Sequence, residues 1–142
     1  MKIIKKLLEN NIQILPQVDS WEEAIKIASH PLLEKGYIEP RYIDTMISKV
    51  NELGFYIVLS EDVAMPHSRP EDGVLKMGMS LLKLNTPAKF GNNNVQIVIT
   101  LAAKDNESHI DALTNLVELL NDDEKIEKIK LAKTNQEILE II

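Results

Sequence analysis

The alternation of apolar and polar positions divides the chain into a series of short elements. Apolar residues 3, 4, 7 and 8 in Lys2–Leu8 recur at helical spacing, and Ile12–Leu15 is a short apolar run closed by Pro16, which reads as a strand. Ser20 opens a helix. With Glu23 it forms a capping box, and Trp21, Ala24, Ile25 and Ala28 share one face. Pro31 is expected to end or kink that helix, with Leu32–Lys35 as a candidate continuation to Gly36. Pro40 suits the first position of the next helix, whose apolar positions 43, 46, 47 and 50 carry it to about Leu53, before Gly54.

The pattern then changes. Phe55–Leu59 and Asp62–Met65 read as strands or a bent strand pair, and Gly78–Leu84 reads as a strand. Thr86-Pro87 is expected to be a turn and Phe90–Asn94 a polar loop. Val95–Ala103 is almost continuously apolar and β-branched, as suits a central strand covered on both faces. Ser108 opens an amphipathic helix with Ile110, Leu113, Leu116, Val117 and Leu120 on one side; Asn121-Asp122-Asp123 breaks it. A helix follows at about Glu124–Ala132, and Thr134 with Glu137 caps a last one ending at Ile142. Helices at both ends around an apolar central strand imply an α/β (α+β) protein with a mixed sheet between helical layers. With 142 residues and no linker or repeat, residues 1–142 read as a single domain.

Composition narrows the function. The 22 acidic residues outnumber the 16 basic ones, for a net charge of −6, which argues against a phosphate-neutralising nucleic-acid binder. Aromatics are 4%, too few for stacking platforms. Cysteine is absent, which removes disulfides, thiolate catalysis and cysteine-held metal centres. No apolar run approaches the ~18–20 residues of a membrane span. The basic-then-apolar start Met1–Leu8 meets Glu9-Asn10-Asn11 before a signal-peptide core is built, so a cytoplasmic protein is expected.

The chemistry concentrates on Asp62–Val74. His67 and Arg69 lie there between Pro66 and Pro70, directly after an apolar strand. The prolines fix φ and discourage helix before each, giving a stiff exit from a sheet with His67 at its tip. A neutral imidazole there has one lone pair free to attack phosphorus, while its other N–H can be held by a hydrogen bond. Only Arg41 and Arg69 offer a planar grip on an oxyanion, and Arg69 also has Glu71 and Asp72 as candidate partners. His109, after Ser108, falls in the first turn of a predicted helix, where unpaired N–H groups favour anions. His30, beside Pro31, reads as structural or solvent-facing, and Met65, Met77 and Met79 as core filling. No Gly-rich phosphate loop, nucleophile elbow or His-x-x-x-His metal spacing is present. No cofactor is expected, although a hydrolase or metal protein built on His67 and His109 stays open.

Ala64-Met65-Pro66-His67-Ser68-Arg69-Pro70 resembles the active-site motif of enzyme IIA of the mannitol/fructose type in the phosphoenolpyruvate:sugar phosphotransferase system. The resemblance extends over the chain through Glu39-Pro40-Arg41-Tyr42, Glu71-Asp72-Gly73-Val74 and Ala102-Ala103…His109. Its ascorbate-specific branch looks nearest. The resemblance implies a three-layer α/β/α fold with a mixed sheet. It implies that His67 accepts a phosphoryl group from phospho-HPr and passes it to a cysteine of enzyme IIB, which serves sugar uptake through a membrane enzyme IIC. His109 matches the family's phosphoryl-supporting histidine, and Arg69 and Ser68 are the expected phosphate-binding residues. Mannitol-type relatives carry an arginine ahead of the active-site strand where this chain has Lys49-Val50-Asn51-Glu52, so Arg69 is expected to supply the guanidinium instead. A regulatory module of the same fold, sensing phosphorylation without transporting sugar, is the alternative.

Overall fold

A computed structural model describes residues 3–105, 107 and 110–142. The chain begins with α1 (Ile3–Leu8) and β1 (Ile12–Leu15), followed by α2 (Trp21–Glu34) and α3 (Pro40–Leu53). Then come β2 (Val58–Ser60), β3 (Asp62–Ala64), a 3-10 turn (Pro70–Asp72), β4 (Gly78–Phe90) and β5 (Asn93–Ala102). Helices α4 (Ile110–Leu120), α5 (Asp123–Leu131) and α6 (Asn135–Ile141) close it. The five strands pair in the order β1-β4-β5-β3-β2. β1 runs parallel to β4 and β3 parallel to β5, while β4–β5 and β2–β3 are antiparallel. This is the expected mixed sheet.

The central strands are apolar on both faces because helices cover both. Met79, Leu81, Ile97, Ile99 and Leu101 pack with α1, α4, α5 and α6. Leu82, Leu84, Val98 and Ala102 pack with α2 and α3 on the opposite face. Three layers follow from that two-sided burial. Among the described residues no helix is long and apolar enough to cross a membrane.

The caps form where their residues predict. The Ser20 side chain accepts from the Glu23 amide at 3.2 Å, and Thr134 accepts from the Glu137 amide at 3.1 Å. Pro40 is the first residue of α3. Pro31 does not end α2, which takes the candidate continuation and runs through it to Glu34. A proline leaves the carbonyl four residues back without its helical donor. That carbonyl, Ile27, is reached by the Gln13 side-chain amide from β1 at 2.7 Å. The neighbouring strand thus replaces the missing bond.

Two expectations are corrected. Thr86-Pro87 is not a turn: β4 continues through it to Phe90, with an irregularity in its pairing to β5 between Lys83 and Ala88. A bulged stretch is one of the few places a sheet tolerates proline. The reversal lies later, at Gly91 (φ 65) and Asn92. The predicted loop Phe90–Asn94 therefore shrinks to a tight hairpin whose ends, Phe90 and Asn93, are paired. The expected opening of α4 at Ser108 lies outside the described residues.

Candidate active site

Because β3 and β5 are parallel, their carboxyl ends share one edge of the sheet, where ligands of open α/β sheets collect. A cleft of about 470 Å³ opens there. Lys49 and Leu53 from the end of α3, Tyr56 and Met65 form part of its wall. His67, Ser68, Arg69 and Pro70 come from the segment after β3, with Leu101, Ala103, Asp105 and Leu113 opposite. The sequence-predicted His67, Ser68 and Arg69 are thereby brought to one cavity. His109 lies outside the described residues.

His67 is half-buried, and its Nδ1 lies 2.8 Å from the Met65 carbonyl oxygen. A carbonyl only accepts, so Nδ1 carries the proton and donates it. In the neutral ring the lone pair is then on Nε2. Nε2 makes no hydrogen bond among the described residues. The Tyr56 ring packs against the imidazole edge to face, at 5.9 Å and 81°. Burial raises the Tyr56 hydroxyl above the ordinary tyrosine range.

The backbone on both sides of His67 is tied down. The Met65 amide donates to Ile57 at 2.8 Å, and the Leu101 amide donates to the Pro66 carbonyl at 3.0 Å. The Ser68 amide donates at 2.9 Å to the hydroxyl of Tyr42, a fully buried residue of α3. That hydroxyl donates in turn to the Leu101 carbonyl at 2.8 Å. Desolvation pushes the Tyr42 pKa up to about 12, so the proton stays in place.

Asp72, in the 3-10 turn, gathers one cation and two further donors. A single oxygen, Oδ2, accepts from the Ser68 hydroxyl, from the Arg69 amide at 3.1 Å and from Lys49 Nζ at 3.1 Å. The Ser68 hydroxyl is the main influence that lowers the Asp72 carboxyl pKa, with Lys49 and the Arg69 amide adding to it. The Arg69 side chain is not paired with Glu71 or Asp72. It is exposed, and no ion pair engages its guanidinium among the described residues. In the extended backbone of this segment, residues two apart point the same way, and Arg69 lines the same cavity as His67. Lys49 is a residue that sequence reasoning passed over, as is Tyr42. The signal for Lys49 is its place in α3: it follows Met46 by three residues and precedes Leu53 by four, on a stripe that is otherwise apolar.

The rim is apolar. Leu53 is 64% exposed, Tyr56 39%, Ile110 56% and Val117 53%. Ile110, Leu113 and Val117 share one face of α4. Leu53, Tyr56 and Leu113 line the cavity itself, and exposed apolar side chains grouped in this way mark an interaction surface or a ligand groove. Among the described residues no group of three or more His, Cys, Asp or Glu is arranged to hold a metal ion.

Comparison with known proteins finds relatives along the whole chain. The family model described as phosphoenolpyruvate-dependent sugar phosphotransferase system, EIIA 2, matches residues 5–142. The ascorbate-specific PTS system EIIA component of Escherichia coli K12 is 37% identical over 147 aligned positions, covering 100% of this chain and 96% of that protein. The solution structure of the mannitol-specific cryptic phosphotransferase enzyme IIA CmtB from Escherichia coli superposes with a TM-score of 0.91 at 36% identity, covering 99% of this chain and 97% of that one. Enzyme IIA of the Escherichia coli mannitol system, solved in complex with phosphorylated enzyme IIB, gives a TM-score of 0.80 at 32% identity, with 92% of each chain covered.

Proposed function

This chain belongs to the EIIA 2 family of the phosphoenolpyruvate-dependent sugar phosphotransferase system, and from that premise we propose that it carries a phosphoryl group on Nε2 of His67. The observation that carries the proposal is the Met65–His67 bond. It fixes the proton on Nδ1 and leaves the Nε2 lone pair as the nucleophile, in a cavity also lined by Arg69 and Lys49.

The chemistry balances without a cofactor. His67 Nε2 attacks the phosphorus of the donor's phosphohistidine, in HPr. The donor P–N bond breaks, and its electron pair returns to the donor ring. The His67 ring gains positive character, which the Met65 carbonyl offsets through Nδ1–H. In the second step a thiolate of enzyme IIB attacks phosphorus, and the N–P pair returns to Nε2. Little covalent work is asked of the protein beyond in-line placement and charge stabilisation. Arg69 and Lys49 supply the cationic charge. Ser68 acts by holding Asp72, since its hydroxyl and amide protons are already donated. His109 is proposed as a further donor to the phosphoryl oxygens, on the family resemblance.

The apolar rim suits two successive, transient partners, and the likeness to ascorbate-specific relatives supports an ascorbate system served through a membrane enzyme IIC. Enzyme IIA touches proteins rather than sugar, so the sugar is set by the cognate enzyme IIB. The test is incubation with labelled phosphoenolpyruvate, enzyme I and HPr. Acid-labile label is expected on the wild type and none on His67→Gln; equal labelling of both would overturn the assignment.

A further inference from the structure

The pairing of β3 with β5 sets Val63 opposite Ile97 and Ala64 opposite Val98. Continued in the same register, it sets His67 opposite Leu101. A parallel ladder would then use two rungs: the Leu101 amide to the Pro66 carbonyl, and the Ser68 amide to the Leu101 carbonyl. The first exists, at 3.0 Å. In the second, the Tyr42 hydroxyl stands between donor and acceptor, 2.9 Å from the Ser68 nitrogen and 2.8 Å from the Leu101 oxygen. Groups that a direct rung would bring to about 2.9 Å are held apart by an oxygen bonded to both.

We infer that the Tyr42 hydroxyl is a rung spliced into the sheet that displaces the His67 segment from β5 and so fixes the reactive ring in its cleft. Tyr42 is then a positioning residue. The polarity of the chain is forced. The Ser68 amide can only donate, the Leu101 carbonyl can only accept, and one hydroxyl does both. The Ser68 carbonyl, 3.3 Å away, is the weaker claimant on the hydroxyl proton. Divergence at this rung matches the cavity, whose walls include Met65 and His67 on one strand and Leu101 on the other. Tyr42 is itself clamped. The Glu39 amide donates to the Gly73 carbonyl at 2.8 Å, and Gly73, at φ +134, passes so close that an added Cβ would lie 3.1 Å from Tyr42 Cβ. Both ends of the active-site loop therefore close on α3 beside this residue.

The inference rests on the phosphocarrier reading only for its rate measurement. The test is Tyr42→Phe, which removes one oxygen from a buried site. Three results are expected: loss of exchange protection at the Ser68 amide, displaced imidazole signals of His67, and single-turnover phosphoryl transfer from phospho-HPr slowed on the order of 10–100-fold at saturating donor, with the donor KM unchanged. A core truncation, Leu32→Ala, separates positioning from stability: it is expected to lower the melting temperature and leave transfer unaltered. Wild-type transfer by folded Tyr42→Phe, with unmoved His67 signals, would overturn the inference. Where Tyr42→Phe does not fold, the wild type decides: a slowly exchanging Tyr42 hydroxyl proton close to the Ser68 amide is expected, and solvent-rate exchange of both refutes the rung. A wild type that takes no label removes the phosphocarrier reading, while the exchange and ring signals still judge Tyr42.

Discussion

The imidazole of His67 donates its Nδ1 proton to the carbonyl of Met65, two residues earlier, across 2.8 Å. The segment that leads from β3 to the histidine therefore also selects its tautomer. Nitrogen-15 spectra of the unphosphorylated protein, with the ring neutral, are expected to show His67 protonated at Nδ1, and the phosphorylated protein is expected to carry phosphorus on Nε2. A product phosphorylated on Nδ1 would refute this account, because that nitrogen is already occupied.

Two cations line the cavity by different routes, Arg69 with a guanidinium outside any ion pair described and Lys49 shared with Asp72. Removing Arg69 with Arg69→Ala is expected to slow single-turnover transfer by about 10–100-fold and to leave thermal unfolding within about 0.5 kcal/mol, since the side chain is exposed. Lys49→Met is expected to slow transfer as well. An unchanged rate in Arg69→Ala would remove that guanidinium from the site.

Asp72 links function to acid stability. Its carboxyl titrates below the ordinary range in the folded protein, chiefly through the Ser68 hydroxyl. A depressed carboxylate contributes stability above its unfolded value and loses it as pH falls toward the folded one. Asp72→Asn is thus expected to cost about 1–2 kcal/mol at neutral pH, discounted because the side chain is 23% exposed. The gap to wild type should narrow as pH falls below the reference value of 3.8. Urea unfolding at a series of pH values checks it; a gap that widens in acid would reverse the assignment.

The Gln13–Ile27 bond predicts a coupling. Gln13→Leu strips the Ile27 carbonyl of its donor and is expected to cost about 1–2 kcal/mol. In a Pro31→Ala background the restored helical amide serves that carbonyl, so the same substitution should cost distinctly less. A double-mutant cycle by denaturant unfolding measures the difference, and strict additivity would show that the two residues act independently.

Local signals made much of the architecture readable in advance. Ser20, Pro40 and Thr134 mark helix starts through bonds that close within a few residues, and the apolar run Val95–Ala103 declares burial on both faces. His67 stood out because two prolines frame it. What stayed hidden depends on partners far along the chain. Pro31 left an end, a kink and a continuation all open because its compensating donor comes from β1. Pro87 looked like a turn because the irregularity that accommodates it arises from pairing with β5. Lys49 interrupts an apolar stripe of α3, but both it and Tyr42 reach the site only when α3 is laid against the ends of β3 and β5, which the local pattern does not show.

The cavity around His67, at about 470 Å³, far exceeds the room a phosphoryl group needs. On the phosphocarrier reading, a loaded chain between partners would therefore keep its phosphoryl group wet, with water filling the remaining space. A docked partner would occupy that space and expel the solvent. Dryness, on this view, is a property of the pair and not of either member. The label should then survive on the lone carrier for as long as hydrolysis stays slow, and depart quickly once an acceptor seals the opening.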